Sequence, residues 1–394
     1  MIDVSWDSDI KPALLRRYPG TTPEQLQDAH AYAYGGSVIQ DIGYYPFGSH
    51  EFTDLLHYAR TGDFVAWMIR DAQNVNQYAF ALGALSHYVA DVNGHPAVNA
   101  GVAIEYPKLR ERYGKIVTYE EDKEAHLKTE FSFDVAQVAQ RRYISKDYHD
   151  FIGFKVDRDM LERAFADTYG ISANQVLHFG DLAVGSYRFA ISRVIPEMTQ
   201  VALAARAKQL NSPEKDDAAR QQFLYRLSRA DYNRDFGAKY REPGPFAKFI
   251  AFLLRLVPKF GPFKPLGYKD PTPQTEDLYF KSMNKVTEEF HLRVKQVESG
   301  DLQFPNLNLD TGELIKPGDY NLADQAYVEL LKQIRKNDFN LLTPALKANL
   351  AGFFAAGKLG PAIKPKEVRQ AHLDLSAMES FEPKVKQPST VLNQ

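Results

Sequence analysis

Apolar residues recur along this chain at three- and four-residue spacing, the period of a helix with one buried face. Thr22-Pro23-Glu24 supplies an N-cap followed by proline at the first helical position. The helix it opens is predicted to run through Leu26, His30 and Tyr34 to Gly35-Gly36, a pair that either breaks the helix or lets another approach closely. A shorter helix is expected between Asp3 and Tyr18, ended by Pro19-Gly20. Gly43-Tyr44-Tyr45-Pro46-Phe47-Gly48 reads as an aromatic loop, with a helix starting near His50. Helices should then fill the stretch from about Asp63 to Asn93, where Gly94-His95-Pro96 is expected to stop the last one. Helical patterning returns around His126, from Tyr148 to Leu210 with Pro196 as a kink, and over Glu276–Glu298, Leu322–Lys336 and Thr343–Ala356. No strand set and no internal repeat emerges, so the predicted class is all-α.

Polar residues break this pattern in an ordered way. Within Ala84–Asn99, ALSHYVADVNGHPAVN, residues His87, Asp91 and His95 are four apart and share one helix face. The residues before them are apolar, so the face is suited to burial, and buried imidazoles and carboxylates need partners. A metal site, an acid–base cluster and an unusually polar core all fit. His126 and Glu130 repeat the four-residue step. Upstream, His30 and Asp41 are eleven apart, close to three turns, so an unbroken helix would put both on one face. Past the aromatic loop, His50 lies nearer to Asp41 than His57 does. His50 is therefore preferred as the metal ligand, and His57 is read as packing or as support behind a ligand. His95, at the expected helix end, has the least certain direction of the three.

Composition narrows the chemistry. The 394 residues carry a net charge of −2, which argues against a general nucleic-acid footprint. Cysteine is absent, so no thiolate can bind a metal or attack a substrate. Six of the ten histidines precede residue 127, which places any chemistry in the N-terminal third. Asp41, His50, His87, Asp91, His95, His126 and Glu130 are too many donors for one tetrahedral zinc and suit two, with Asp91 able to bridge. A pair of metals about 3.5–4 Å apart clamps a phosphodiester and supplies a nucleophilic hydroxide near neutral pH. No P-loop, G-x-G-x-x-G or nucleophilic serine arrangement competes with this.

After about Arg234 the chain becomes rich in Pro, Phe and Lys. Phe246–Val257 is a short apolar helix flanked by cations. It can dock on the first domain, lie in a membrane interface as a peripheral contact, or cover the active site as a lid. The expected organisation is a catalytic domain over residues 1–233, a helical extension over 234–380 and a disordered tail over 381–394. No run is long enough to span a bilayer, and MIDVSWDSDI is not a signal peptide.

HYVADVNGH and AHLKTE, with Asp41 and His50 upstream, resemble the zinc-dependent phospholipase C family, which includes bacterial phospholipases C and the catalytic part of glycosylphosphatidylinositol-specific phospholipase D. The resemblance covers about residues 24–210 and implies an all-α fold akin to that of the S1/P1 nucleases. It implies two or three Zn2+ ions held by Asp41, His50, His87, Asp91, His95, His126 and Glu130, with Asp41 as the general base and a phospholipid or other phosphodiester as substrate. The family also carries an N-terminal ligand set with a histidine, and here no histidine precedes His30. A trimmed N-terminus, with a secreted or periplasmic location, is the expectation; the other options are that the third zinc is missing or that His30 replaces the lost ligand. The alternatives are an S1/P1-like nuclease and a non-catalytic, metal-stabilised binding protein.

Overall fold

In the computed structural model, which describes residues 1–45, 47–139, 155–177, 182–185, 269 and 271–383, a single helix of 31 residues, Val75–Glu105, organises the rest. In chain order the helices are α1 (Ile2–Ser5), α2 (Lys11–Arg17), α3 (Pro23–Gly36), α4 (His50–Tyr58), α5 (Thr61–Asp71), α6 (Val75–Glu105), α7 (Pro107–Tyr113) and α8 (Lys123–Ala139). They continue as α9 (Arg158–Tyr169), α10 (Ala173–Val176), α11 (Pro273–Glu298), α12 (Asn321–Lys336), α13 (Pro344–Ala356) and α14 (Pro365–Glu379). A π-helical turn, Trp6–Ile10, joins α1 to α2, and a 3-10 turn, Ile39–Tyr44, lies between α3 and α4. The fold is all-α. Among the described residues the only β feature is an isolated antiparallel bridge between Leu307 and Leu314.

The predicted cap of α3 is present: Thr22 and Gln25 form a reciprocal capping box. The first half of α6 is buried all round, from Gln77 to Val89, as expected of a helix apolar on every face. α3, α5, α8 and α11 pack against it. The Gly35-Gly36 pair serves close approach. A Cβ on Gly36 would stand 1.9 Å from the Phe80 carbonyl oxygen, and one on Gly83 would stand 2.1 Å from that of Ala33. The two glycines let the backbones of α3 and α6 touch where any side chain would hold them apart.

The expected stop at Gly94-His95-Pro96 does not occur: α6 runs on to Glu105 with Pro96 inside it. Proline removes one N–H and crowds the carbonyl four residues back, here that of Val92. That carbonyl is covered by Gly312 from a distant loop. Tertiary packing over the proline, together with the nine residues of helix beyond it, keeps the element continuous. His95 therefore sits in mid-helix, in strict register with His87 and Asp91.

The C-terminal helices are not set apart from this assembly. Val286 and Phe290 of α11, Leu330 and Leu331 of α12, Leu309 and Met378 share one core with Phe52, Leu85 and Phe165. The expected boundary at residues 233/234 and the segment Phe246–Val257 lie outside the described residues. Phe381, placed at the start of the expected tail, packs beside Phe339 with ring centroids 5.4 Å apart. Among the described residues no helix is long and apolar enough to cross a membrane.

Two glycines of α6 give opposite expectations. Helix propensity alone favours alanine over glycine by about 1 kcal/mol. Gly94 has open space around its Cβ direction, so Gly94→Ala should gain up to about that amount in urea unfolding. Gly83→Ala should instead lose about 1–3 kcal/mol by overpacking against α3. A Gly83→Ala protein as stable as wild type would contradict the backbone contact.

Candidate metal centre

Three elements bring the donors together. α6 presents His87, Asp91 and His95 along one face. The 3-10 turn carries Asp41, and it is fixed from both sides: Gln40 Nε2 donates to the Ala84 carbonyl at 3.0 Å, and Thr53 Oγ1 donates to the Gln40 carbonyl at 2.8 Å. α4 contributes a histidine from its last turn, and α8 contributes His126 and Glu130.

Two groups result. In the first, donor atoms of Asp41, His57 and His87 all lie within 4.8 Å of one another. His57 Nε2 is 3.3 Å from Asp41 Oδ1 and 3.5 Å from Asp91 Oδ2, and His87 Nε2 is 3.0 Å from Asp91 Oδ2. The second group is His95, His126 and Glu130, within the same limit. Asp91 also faces His95 electrostatically, so it stands between the groups on the helix that supplies a histidine to each.

The α4 histidine that lies in the first group is His57 and not the expected His50. His50 is exposed at the N-terminal end of α4 beside the Tyr44 ring, and it belongs to neither group. His57, seven residues on, is 2% exposed and occupies the place next to Asp41. Proximity in sequence to Asp41 favoured His50, but Phe52, Leu55 and Leu56 set the buried face of α4 and carry His57 inward. A sequence signal was available: His57 follows two leucines directly. His30 also stays away from both groups. α3 ends at Gly36, so no unbroken helix aligns His30 with Asp41. It lies instead between the rings of Trp6 and Tyr34, at 3.7 and 4.7 Å, with Asp3 at 3.3 Å.

All four imidazoles of the two groups are oriented in the same way. Nδ1 of His57 faces the Thr53 carbonyl at 2.9 Å, His87 the Ser37 carbonyl at 3.0 Å, His95 the Leu309 carbonyl at 3.0 Å, and His126 the Asn99 side-chain oxygen at 3.1 Å. The Asn99 amide is oriented by its NH2, which donates to the Asp310 carbonyl at 2.7 Å. Each of these oxygens can only accept, so each Nδ1 carries the proton and each Nε2 is left free for another partner; those of His57 and His87 lie beside Asp91. Metal-ligating histidines are held in this way. The buried Nε2 of His87 makes no hydrogen bond despite its closeness to Asp91.

Charge completes the fit. Burial disfavours an imidazolium at His57, His87 and His95, but the neighbouring carboxylates outweigh it and raise all three pKa values, that of His95 to about 10. Burial and the nearby His95 instead push His126 down to about 3. The carboxylates of Asp41, Asp91, Glu130 and Asp310 call for positive charge in a space from which water is largely excluded. With neutral histidines, divalent cations would supply that charge. The donors are imidazole nitrogen and carboxylate oxygen, a set that zinc accepts.

Residues 9–179 match the profile of the family described as zinc dependent phospholipase C. This segment is similar to that family. Every residue of the two donor groups, and Asp91, falls within it. No curated protein and no solved structure matches the chain. Beside the donor groups, Tyr44 and Tyr119 stand with ring centroids 6.3 Å apart, and Tyr119 meets the His126 ring edge-on at 5.4 Å. The exposed Lys123 places Nζ 4.8 Å from the Tyr119 ring and 5.8 Å from that of Tyr44. Asp54 faces the same region, and burial lifts its carboxyl to about 6 against the opposing influence of His57 and Lys123.

Two outcomes are expected for metal binding. His57→Ala should lose one zinc per chain after dialysis, whereas His50→Ala should retain the wild-type number by atomic absorption. Zinc must also displace protons from Nε2, so its affinity should rise with pH and its addition at pH 7 should release protons into weak buffer. Without zinc the sign reverses for His95. Its raised pKa stabilises the fold fully below about 6.5, and this is lost as pH rises through about 10. The zinc-induced increase in melting temperature should therefore grow from pH 6 to pH 8; an increase that shrinks over that range would contradict the assignment.

Proposed function

We propose that this chain is a zinc-dependent phosphodiester hydrolase of phospholipase C type. Asp41, His57 and His87 would hold one zinc and His95, His126 and Glu130 a second, with Asp91 between the two groups. The observation that carries this reading is the pairing of two donor groups on either side of Asp91, at four-residue steps of one helix. The match of residues 9–179 to the phospholipase C family supports it independently.

Bound zinc supplies Lewis acidity toward the phosphoryl oxygens and lowers the pKa of water toward 7. The protein's own groups do the rest. Asp41 is the more open of the two site aspartates, with 36% side-chain exposure against 13% for Asp91. It is placed to take the proton of an attacking water that enters from solvent. Lys123 adds a positive charge at the mouth, where it meets the phosphate as the substrate arrives. Tyr44 and Tyr119 wall the same side and keep the approach narrow.

Full-length protein purified with zinc is expected to hydrolyse phosphatidylcholine in mixed micelles and bis-p-nitrophenyl phosphate. Activity should be lost with a chelator and restored by zinc. Cleavage of single-stranded DNA without lipid hydrolysis would replace this reading with an S1/P1-like nuclease. Zinc-dependent folding with no turnover on any of the three would make the chain a binding protein. With zinc supplied at saturation, Asp41→Asn should still lower kcat by about 10²–10⁴-fold. Lys123→Ala should act mainly on KM. A full loss of zinc in Asp41→Asn would leave Asp41 as a ligand only.

A further inference from the structure

The second donor group is backed by a loop from outside the family segment. The linker between α11 and α12 folds tightly on itself at its tip. Leu307 bridges to Leu314, the Asn308 N–H donates to the Glu313 carbonyl at 2.8 Å, and the Gly312 N–H donates to the Asn308 carbonyl at 2.8 Å. The Asp310 N–H is held by the Asn308 side-chain oxygen at 2.9 Å. Gly312 has φ +73°, and a Cβ there would stand 2.5 Å from the Val92 carbonyl oxygen. The tip therefore seats on α6 directly over the Pro96 break.

Its contacts converge on the metal-site histidines. The Leu309 carbonyl accepts from His95 Nδ1, and the Leu309 N–H donates to the His57 carbonyl at 3.1 Å. The Asp310 carbonyl accepts from Asn99, whose other amide atom fixes His126. The Asp310 side chain is 4% exposed. Its Oδ2 accepts from the hydroxyls of Tyr58 at 2.7 Å and Tyr320 at 2.6 Å, and its Oδ1 lies 3.4 Å from His95 Nδ1. The carboxylate thus stands behind the imidazole, on the side away from Nε2, and both its oxygens are engaged there. Burying such a group costs several kcal/mol unless donors and a cation surround it; two tyrosines and His95 do so.

We infer that the loop around Asp310 is a working part of the metal centre: the Leu309 carbonyl and the Asp310 carboxylate are positioning groups that aim His95, and through Asn99 also His126, at the second zinc. The inference rests on the zinc reading given above. It gives the region beyond the family segment a definite role, because the second donor group is not fully oriented without it.

The test compares zinc release from full-length wild type and Asp310→Asn, which keeps the shape and removes the charge. In titration with a chromophoric chelator, Asp310→Asn should release one zinc per chain at about 10- to 100-fold lower chelator concentration, with the other unmoved. Tyr320→Phe, which leaves the charge in place, should shift the same zinc less. Helix content by circular dichroism controls for folding. Long-range 1H–15N spectra of the zinc-loaded wild type should show His95 and His126 protonated at Nδ1. This measurement decides the matter even if Asp310→Asn does not fold. Release of both zincs at wild-type chelator concentration, equal weakening of both, or protonation of His95 at Nε2 would each overturn the inference. A wild type that holds zinc but hydrolyses no phosphodiester would overturn only the proposed function. A wild type that holds no zinc would overturn both.

Discussion

The structure depends on one electrostatic constraint: Asp41, Asp91 and Glu130 gather with four imidazoles beside a single helix, and Asp310 is buried behind one of those imidazoles. Carboxylates buried near one another are tolerated only if positive charge sits among them. In this chain the backbone settles which imidazole nitrogens stay free. Carbonyls of Thr53, Ser37 and Leu309 and the amide of Asn99 take the Nδ1 protons, leaving four Nε2 atoms free for another partner. The carboxylates can then be balanced by protons on those nitrogens or by divalent cations. The match of residues 9–179 to the zinc dependent phospholipase C family points to the second.

Holding that cluster in shape requires a rigid helix at its centre. α6 achieves this with two unlike devices. In its first half, Gly83 and its neighbour Gly36 let α3 lie directly on the backbone, so that Ser37 can reach His87. In its second half, the Pro96 break is covered by a glycine from a loop more than two hundred residues away in sequence. The same helix register therefore serves both donor groups, and Asp91 falls between them because it is one helical turn from His87 and one from His95.

The C-terminal part bears on the site as directly as the family segment does. Tyr58, Tyr320, Asn99 and His95 meet at Asp310, so packing, hydrogen bonding and charge from both parts of the chain converge at one carboxylate. One hydrophobic core joins the two parts as well.

By itself the sequence determined the helical class, the capped start of α3, the common face of His87, Asp91 and His95, and the pairing of His126 with Glu130. All of these follow from residue spacing within one helix, where geometry is local and periodic. The tertiary structure alone decided three other matters. It chose His57 over His50, because the packing of α4 selects which of its faces is buried. It carried α6 through Pro96, because a long-range contact covers the carbonyl that the proline leaves without a donor. It also brought Asp310 and Leu309 behind His95. No spacing rule links residue 95 to residue 310; only the closure of the chain onto a shared core puts them within a hydrogen bond of each other.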